Sequence, residues 1–394
     1  MKGRRAFLYV QHLLGIGHLR RAATIANALA AAGMEVTLAS GGFDVPGIEL
    51  AGVRLVQLPA ASAADATFRV LVGSDGTPVD EKWKVSRRET LLDAWRAADP
   101  HVLVIELYPF GRRQMRFELD PLLQAATAAP RRPVVVCSVC DIVGAGQKAG
   151  SRQDEMLEVF ERSFDRLLVH GDPGVIRFDE TFRHAGKIGS RLSYTGYVVE
   201  EARADPLGPR AGEPGKGEVI VSAGGGAVGM GLLQTAIQAR PRSVLAGRTW
   251  RVLGGINAAA ADLASLGRMA EAAGQGQVVV ERARTDFPEL LANCEVSVSQ
   301  GGYNTMMEII QARARAVVVP FAAGAETEQT LRARWFAGRG LIELVEEDDL
   351  SAGSLAAAID RAAVRPRPDK GAIALDGAQR TAALITGWAA ELKW

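Results

Sequence analysis

Short apolar runs alternate with amphipathic stretches along most of the chain, the pattern expected of parallel sheets covered by helices. In the first half the runs predict strands at 7–10, 35–39, 54–58, 102–105, 134–137 and 167–169, with helical periodicity over 19–32, 84–97 and 154–163. Residues 60–80 break the alternation with a polar, glycine-containing connection long enough to be a functional loop. Residues 200–217, EEARADPLGPRAGEPGKG, are rich in Pro, Gly and charge without apolar period and read as a linker. The alternation then restarts, predicting strands at 219–222, 250–253, 278–280, 296–298, 317–319 and 342–345. A final helix over 373–392 carries Leu375, Ala382, Leu384, Ile385, Trp388 and Leu392 as an apolar stripe, to be buried on one domain or across both. The pattern predicts an α/β protein with an N-terminal domain at 1–199, a linker at 200–217, a C-terminal domain at 218–370 and a terminal helix at 371–394.

At 394 residues the chain is long for a single core, which supports two domains. Its 48% hydrophobic and 23% charged residues are those of a water-soluble globular protein. Lys and Arg number 46 against 45 Asp and Glu, so no basic field exists to gather nucleic acid. Cys137, Cys140 and Cys294 are too few for a disulfide scaffold and suit a reducing cytoplasm. Cys137 and Cys140 form a C-x-x-C, but no second pair or nearby His completes a metal site, and Val134-Val135-Val136 reads as a buried strand leading into them. The N-terminal KGRR-AFLYV resembles a signal peptide until Gln11 and His12 interrupt it, so a first core strand is expected. No run approaches the ~20 apolar residues that span a bilayer. A cytoplasmic protein is expected, with peripheral contact at the inner face of the membrane left open.

Each half opens with a strand, a glycine turn and a helix. In the first, residues 11–18 read QHLLGIGH and lead into LRRAATIANALA; in the second, Ala223-Gly224-Gly225-Gly226 leads into AVGMGLLQTAI. Glycines permit close backbone approach, and helix starts attract phosphate. Gly224, Gly226 and Gly229 satisfy G-x-G-x-x-G, yet a dinucleotide site wants an acidic residue ending the next strand, which here ends in Gly254-Gly255. In the first half Arg20 stands where the third glycine is needed, so no redox cofactor is expected. Residues 297–334 repeat the layout: one run ends in Gly301-Gly302, a helical run holds Glu308 among apolar neighbours, a second run ends at Pro320-Phe321, and a polar loop leads to Glu328-Gln329.

These loops resemble the GT-B glycosyltransferases, and in particular glycosyltransferase family 28, whose best-known member adds N-acetylglucosamine in peptidoglycan synthesis. SQGGYNTMMEII, VVVP and ETEQTLRAR carry the likeness in the second half and GIGH with its helix in the first. The likeness spans essentially the whole chain and is nearest a group of predicted bacterial glycosyltransferases sharing YVQHLLGIGHLRR. It implies two Rossmann-like domains facing across a cleft, with the donor nucleotide sugar in the C-terminal one. By resemblance, Glu308 holds the ribose hydroxyls, Gly301, Gly302, Asn304 and Thr305 face the diphosphate, and Glu328 and Gln329 read sugar hydroxyls with Arg332 behind them. Gly17, Gly224, Gly225 and Gly226 belong to the glycine turns, and the loop around Ala283 and Arg284 takes the nucleobase contact. The chemistry agrees, since a carboxylate suits a vicinal diol and a helix N-terminus suits phosphate. The loop between Pro320 and Glu328 is one residue longer than in the peptidoglycan enzyme, so sugar identity does not transfer.

The resemblance implies transfer of a hexose or N-acetylhexosamine from a nucleotide donor, expected to be uridine diphosphate-linked, with inversion and with neither bound metal nor cofactor. A base must take the acceptor proton. His18 at a helix start, where the dipole keeps imidazole neutral, is one candidate. Glu106 after the 102–105 strand is another, and Asp141 occupies an equivalent strand end, although related sequences carry arginine where this chain has Cys140. Arg112 and Arg113 are placed to neutralise phosphate or an anionic acceptor, though arginine pairs are usually solvated. The acceptor class stays open between glycan, lipid and small metabolite. Two other readings remain at this point: a nucleotide-sugar hydrolase of the same fold, which the Gly15–Arg20 stretch also resembles, and a nucleotide-sugar-binding protein without turnover.

Overall fold

The structure, a computed structural model, describes residues 3–65, 70–143, 149–200, 213–224, 229–255, 258–273, 277–322, 327–369, 371 and 373–392. The chain divides into two compact units, one made of Met1–Val199 with Ala374–Trp394 and the other of Glu200–Ile373.

The first unit runs β1 (Arg5–Val10), α1 (Gly17–Ala31), β2 (Glu35–Ser40), β3 (Val53–Gln57), β4 (Ser62–Ala63), β5 (Leu71–Val72), α2 (Glu81–Ala98), β6 (Val102–Glu106), α3 (Arg116–Ala128), β7 (Val134–Cys140), α4 (Ala149–Ser163), β8 (Arg166–His170), α5 (Ala185–Ile188) and β9 (Leu192–Tyr194). Seven strands form one parallel sheet in the order β3-β2-β1-β6-β7-β8-β9. Strand residues alternate faces, so Phe7 and Tyr9 of β1 enter one core with Leu91, Leu119 and Phe160, while Ala6, Leu8 and Val10 enter the other with Leu19, Ile25 and Leu29 of α1. Both faces are covered, which is why these strands read as continuous apolar runs. Asp80 caps α2 by accepting from the Trp83 N–H at 2.7 Å.

The elements differ from the sequence expectation in instructive places. The connection at 60–80 contains the small antiparallel hairpin β4-β5, pairing Ser62 with Val72. The ladders of β6 and β8 extend one residue past their apolar runs, because Glu106 pairs with Ser138 and Cys140 with His170. Polar residues that end the apolar signal are thus the last rungs of the sheet. The helix α3 and the three-residue strand β9 are additional, the first carrying Pro121 inside it.

The second unit runs β10 (Val219–Ser222), α6 (Met230–Ala239), β11 (Trp250–Gly254), α7 (Ala260–Ala272), β12 (Val278–Arg282), α8 (Phe287–Asn293), β13 (Val296–Ser299), α9 (Tyr303–Ala312), β14 (Ala316–Val318), α10 (Glu328–Gly338), β15 (Glu343–Leu344) and α11 (Ala352–Val364). Its parallel sheet has the order β12-β11-β10-β13-β14-β15. Val219, Val221, Trp250, Val296 and Val298 pack with Leu233, Leu266 and Leu355 of the covering helices, each such side chain contributing about 1.5–3 kcal/mol of burial.

The terminal helix α12 (Gly377–Glu391) returns to the first unit and buries Ala378, Ala382, Ile385 and Ala389 in the core that holds α1. Its start needs glycine: a Cβ on Gly377 would stand 2.5 Å from the Gly196 carbonyl oxygen and 2.6 Å from that of Tyr197. The apolar stripe is therefore seated on one domain.

Candidate functional site

In an open α/β sheet a ligand crevice forms where successive connections leave two neighbouring strands in opposite directions. In the first unit those strands are β1 and β6. From the end of β1 the chain runs through the glycine turn to α1, which begins at Gly17 and carries His18 and Arg21 on one face, three residues apart. From β6 comes Glu106, only 3% exposed. His18 Nδ1 lies 2.7 Å from Glu106 Oε1, and Arg21 Nη2 donates to the same oxygen at 2.5 Å. The two residues expected as alternative bases are one hydrogen-bonded pair.

The charges of the pair can be assigned. Burial alone would raise the Glu106 carboxyl, but the His18 ring, Arg21 and Arg112 outweigh it and bring it down to about 2. Burial also pushes His18 below its ordinary value; Glu106 opposes this, while Arg112 and Arg21 reinforce it. Near neutral pH the carboxylate is ionised and the imidazole neutral. An ionised carboxylate only accepts, so the His18 proton sits on Nδ1 and leaves Nε2 with a lone pair. That is the tautomer a general base requires.

Asp141 follows β7 directly and is fully buried. It stands against Gly171, where a Cβ would come within 2.8 Å of the Asp141 Cβ. The ring contacts of His18 are to Glu106 and Arg21, and Asp141 is not among them. Cys137 and Cys140 are three apart on β7 and therefore face opposite sides of the sheet. Cys137 lies in the core, where burial pushes its thiol well up, and Cys140 Sγ donates to the Ile142 carbonyl.

Two features were not read from the sequence. His12 and His170, which look scattered along the chain, gather at the same strand ends as His18. Burial, together with the charges of His18 and Arg112, lowers His12 to about 4. His170 is lowered to about 3, first by burial and then by Arg21, and its ring nitrogens meet Ser138 Oγ at 2.7 Å and Thr195 Oγ1 at 2.9 Å. The available signal was position, since each closes or follows an apolar strand run. The second feature is Arg87 of α2, wholly buried, whose Nε and Nη2 bond Glu118 while Nη1 donates to the Gly41 and Pro59 carbonyls and Nη2 also reaches Gln11 Oε1. Tyr9 OH donates to Glu118 at 2.5 Å. One cation thus ties down the chain leaving β1, β2 and β3. Nothing in the local pattern around Arg87 distinguishes it from a solvated helix residue.

In the second unit the neighbouring strands that diverge are β10 and β13. Gly224 after β10 has a left-handed backbone (φ 71°), and a Cβ there would lie 3.8 Å from Thr305 Oγ1. The turn and the first turn of α9 therefore face each other without a side chain from Gly224 between them. Gly225 and Gly226 lie outside the described residues. Gly302 is the N-cap of α9, which has neither a side-chain cap nor an acidic residue in its first turn, leaving the positive end of its dipole for an anion. Asn304 and Thr305 occupy that turn, and Glu308, 9% exposed, follows on the same helix.

Glu328 opens α10 and accepts from Arg332 Nη2 at 2.6 Å. Arg332 is fully buried, donates to the Gly301 carbonyl at 3.2 Å and lies over the Tyr303 ring at 5.5 Å. Gln329 Oε1 accepts from the Phe321 N–H, and a Cβ on Gly301 would stand 3.2 Å from the Gln329 carbonyl oxygen. Gly224, Thr305, Gly301, Glu328, Gln329 and Arg332 thus sit around adjoining strand ends. Arg284 lies beyond β12 at the far edge of this sheet, its guanidinium held by both oxygens of Asp286 at 2.7 and 2.8 Å.

Residues 269–373 match the glycosyltransferase family 28 C-terminal domain. The Acinetobacter baumannii MurG structure superposes over 97% of this chain and 99% of its own, with a TM-score of 0.59 and 12% identity. The chain has the GT-B fold, and its residues 269–373 are similar to the family 28 C-terminal domain. The spinosyn rhamnosyltransferase SpnG complexed with thymidine diphosphate has the same GT-B fold, with a TM-score of 0.57, 14% identity and coverage of 98% of this chain and 96% of that one. Among curated proteins, the UDP-N-acetylglucosamine–N-acetylmuramyl-(pentapeptide) pyrophosphoryl-undecaprenol N-acetylglucosamine transferase of Geobacillus kaustophilus (strain HTA426) is 35% identical over 91 residues, 23% of this chain. That match spans about a quarter, 26%, of the relative's length. In this GT-B chain both strand-end constellations fall where the topology of each sheet turns outward, and no helix among the described residues is long and apolar enough to cross a membrane.

Proposed function

We propose that the protein is an inverting glycosyltransferase that moves a hexose or N-acetylhexosamine from a uridine diphosphate sugar to a hydroxyl-bearing acceptor. The observation that carries this reading is the His18–Glu106 pair at 2.7 Å, an oriented neutral imidazole on the acceptor-side unit of a GT-B chain. In the proposed step, His18 Nε2 takes the acceptor proton as the acceptor oxygen attacks the anomeric carbon. The bond to the diphosphate breaks with its electron pair on the leaving oxygen, so the configuration inverts. Glu106 is a positioning residue that fixes the tautomer and supports the imidazolium as it forms. The second unit holds the donor, with the α9 N-terminus and the Gly224 turn toward the diphosphate, Glu308 toward the ribose, and Glu328 and Gln329 toward the sugar. The leaving charge is taken up by backbone N–H groups and the helix dipole, without a bound metal.

The test begins with calorimetric titration of UDP into the wild type and Glu308→Ala, where binding is expected to fall at least ~10-fold, as for loss of charged hydrogen bonds. Undiminished affinity in the variant would remove the donor assignment. Transfer to an acceptor panel, followed by NMR of the product anomer, is expected to give inversion and to survive EDTA. Stoichiometric UDP release without acceptor would mean hydrolysis instead.

A further inference from the structure

Among the described residues four side chains other than glycine stand on a left-handed backbone: Asp99, Leu107, Arg112 and Arg313. Asp99 and Arg313 are the C-caps of α2 and α9, where that conformation ends a helix. Leu107 and Arg112 end no helix, and they bracket the loop that leaves Glu106. A leucine Cβ crowds the backbone in this region, so φ 66° at Leu107 is strained.

The strain has a definite form. Leu107 N–H donates to the Ser138 carbonyl at 2.8 Å, closing the β6–β7 ladder, and Tyr108 N–H donates back to the Glu106 carbonyl at 2.9 Å. A bond between residues two apart around a positive φ is the rare, strained form of γ-turn, and it reverses the chain immediately after Glu106. Gly111 N–H donates to the Leu107 carbonyl at 2.9 Å, and the Leu107 side chain fills the place of a Gly111 Cβ, which would stand 2.7 Å from its Cδ2. Buried groups hold the loop in this shape: Tyr108 OH donates to Asp120 at 2.5 Å, and the Phe110 ring lies 5.0 Å from that of Phe182 and 5.7 Å from that of Phe178. Strain that persists because its surroundings over-determine it collects at functional sites.

What the reversal delivers is Arg112. Its Nε donates to the Gln11 carbonyl at 2.8 Å, and its charge acts on both Glu106 and His18. Glu106 Oε1 is engaged by His18 and Arg21, while Oε2 is buried with no hydrogen-bond partner, so its burial is offset by the charges of Arg21 and Arg112 rather than by a bond of its own. We propose that Leu107 is a positioning residue of the His18–Glu106 pair, acting through Arg112: its strained turn ends β6 at Glu106 and carries the guanidinium back within electrostatic reach of the carboxylate. The inference rests on the transferase reading for what the pair does, and adds how the chain holds a cation on it. Without the turn Arg112 leaves, and His18 loses a charge that disfavours its imidazolium.

The experiment follows the His18 ring by NMR through a pH titration of the full chain in wild type, Leu107→Val, Leu107→Gly, Arg112→Gln and the Leu107→Val, Arg112→Gln double variant, beside the acid limb of kcat. The charged and titratable groups acting on His18 are Glu106, Arg21, Arg112 and the His12 ring. Valine keeps an apolar side chain but its branched Cβ disfavours positive φ, so Leu107→Val is expected to raise the His18 midpoint toward its ordinary value, as Arg112→Gln does. Glycine holds the turn without strain and should leave the midpoint in place. The double variant should move no further than either single one, since both remove the same interaction, and the acid limb should move with the ring. An unmoved midpoint in Leu107→Val, or shifts that add in the double variant, overturns the proposal, and a lowered melting temperature alone would mark a merely structural role. If Leu107→Val is unfolded, Leu107→Ala against Leu107→Gly decides on the same criteria, because both lose the same packing and glycine alone takes positive φ freely. A ring that responds as expected in a protein that transfers no sugar supports the positioning and overturns the transferase reading.

Discussion

In the proposed transfer, the role of His18 turns on which ring nitrogen carries the proton. The Glu106 carboxylate, held near pKa 2, accepts from Nδ1 and so dictates a lone pair on Nε2. His18→Ala is expected to lower kcat by roughly 100- to 10,000-fold, the usual range for a lost general base, with UDP affinity retained. Because burial pushes the imidazole below its ordinary value, the acid limb of kcat against pH should lie below about 6.5, with activity level through neutrality. In Glu106→Gln the carboxylate that favours the imidazolium is gone, so the limb should move further toward acid while kcat falls at least ~10-fold. A limb that stays in place would mean Glu106 does not act through His18. Both residues stood out in the sequence as strand-end or helix-start groups, but as competitors. Their 88-residue separation gave no sign that they touch.

Among elements, α2 is the one whose contribution the pattern conceals. It reads as a covering helix, and Leu91 and Trp95 do pack into the core. Arg87 on the same helix anchors Gln11, Gly41 and Pro59, the chain that leaves the ends of β1, β2 and β3. Arg87→Met would strand a buried Glu118 carboxylate and is expected to destabilise the protein by about 3–5 kcal/mol in denaturant unfolding. Arg87→Met with Glu118→Leu should recover much of that loss, because an apolar pair replaces the buried ions without leaving a charge, yet transfer should stay impaired since the anchor is absent. Recovery of both stability and transfer would show the clamp to be structural alone. The terminal helix makes a related point: its stripe demanded burial, and the seat at Gly196 and Tyr197, closed to any Cβ, decided where.

For the molecule as a whole, folding holds buried imidazoles neutral. His12 near 4 and His170 near 3 both lie below the ~6.5 of an unfolded histidine. Below that value the unfolded chain binds protons the folded chain refuses, so stability present above about pH 6.5 is lost as pH falls toward the folded values. Glu106 adds in the same direction over a lower window, from its unfolded value near 4.3 down to about 2. Unfolding free energy should therefore decline steadily from pH 6.5 to 4, and in His170→Gln the slope should be shallower by up to about one proton. An unchanged slope, measured by urea titration at several pH values, would mean His170 is protonated or solvated in the folded state.

The sequence by itself determined the fold class, most elements and the strand ends at which the candidate site residues lie, because the periods that encode helices and covered strands are local. It also singled out Glu308, Glu328 and Gln329 by resemblance, and its bulk charge balance disfavoured a polyanion binder. Only the tertiary structure decided that His18 and Glu106 form one pair, that Arg332 braces Gly301 and Glu328, and that Arg284 is held by Asp286. Those are questions of which charge meets which. Their answers depend on distances across the sheet between residues far apart in sequence, which no local pattern contains.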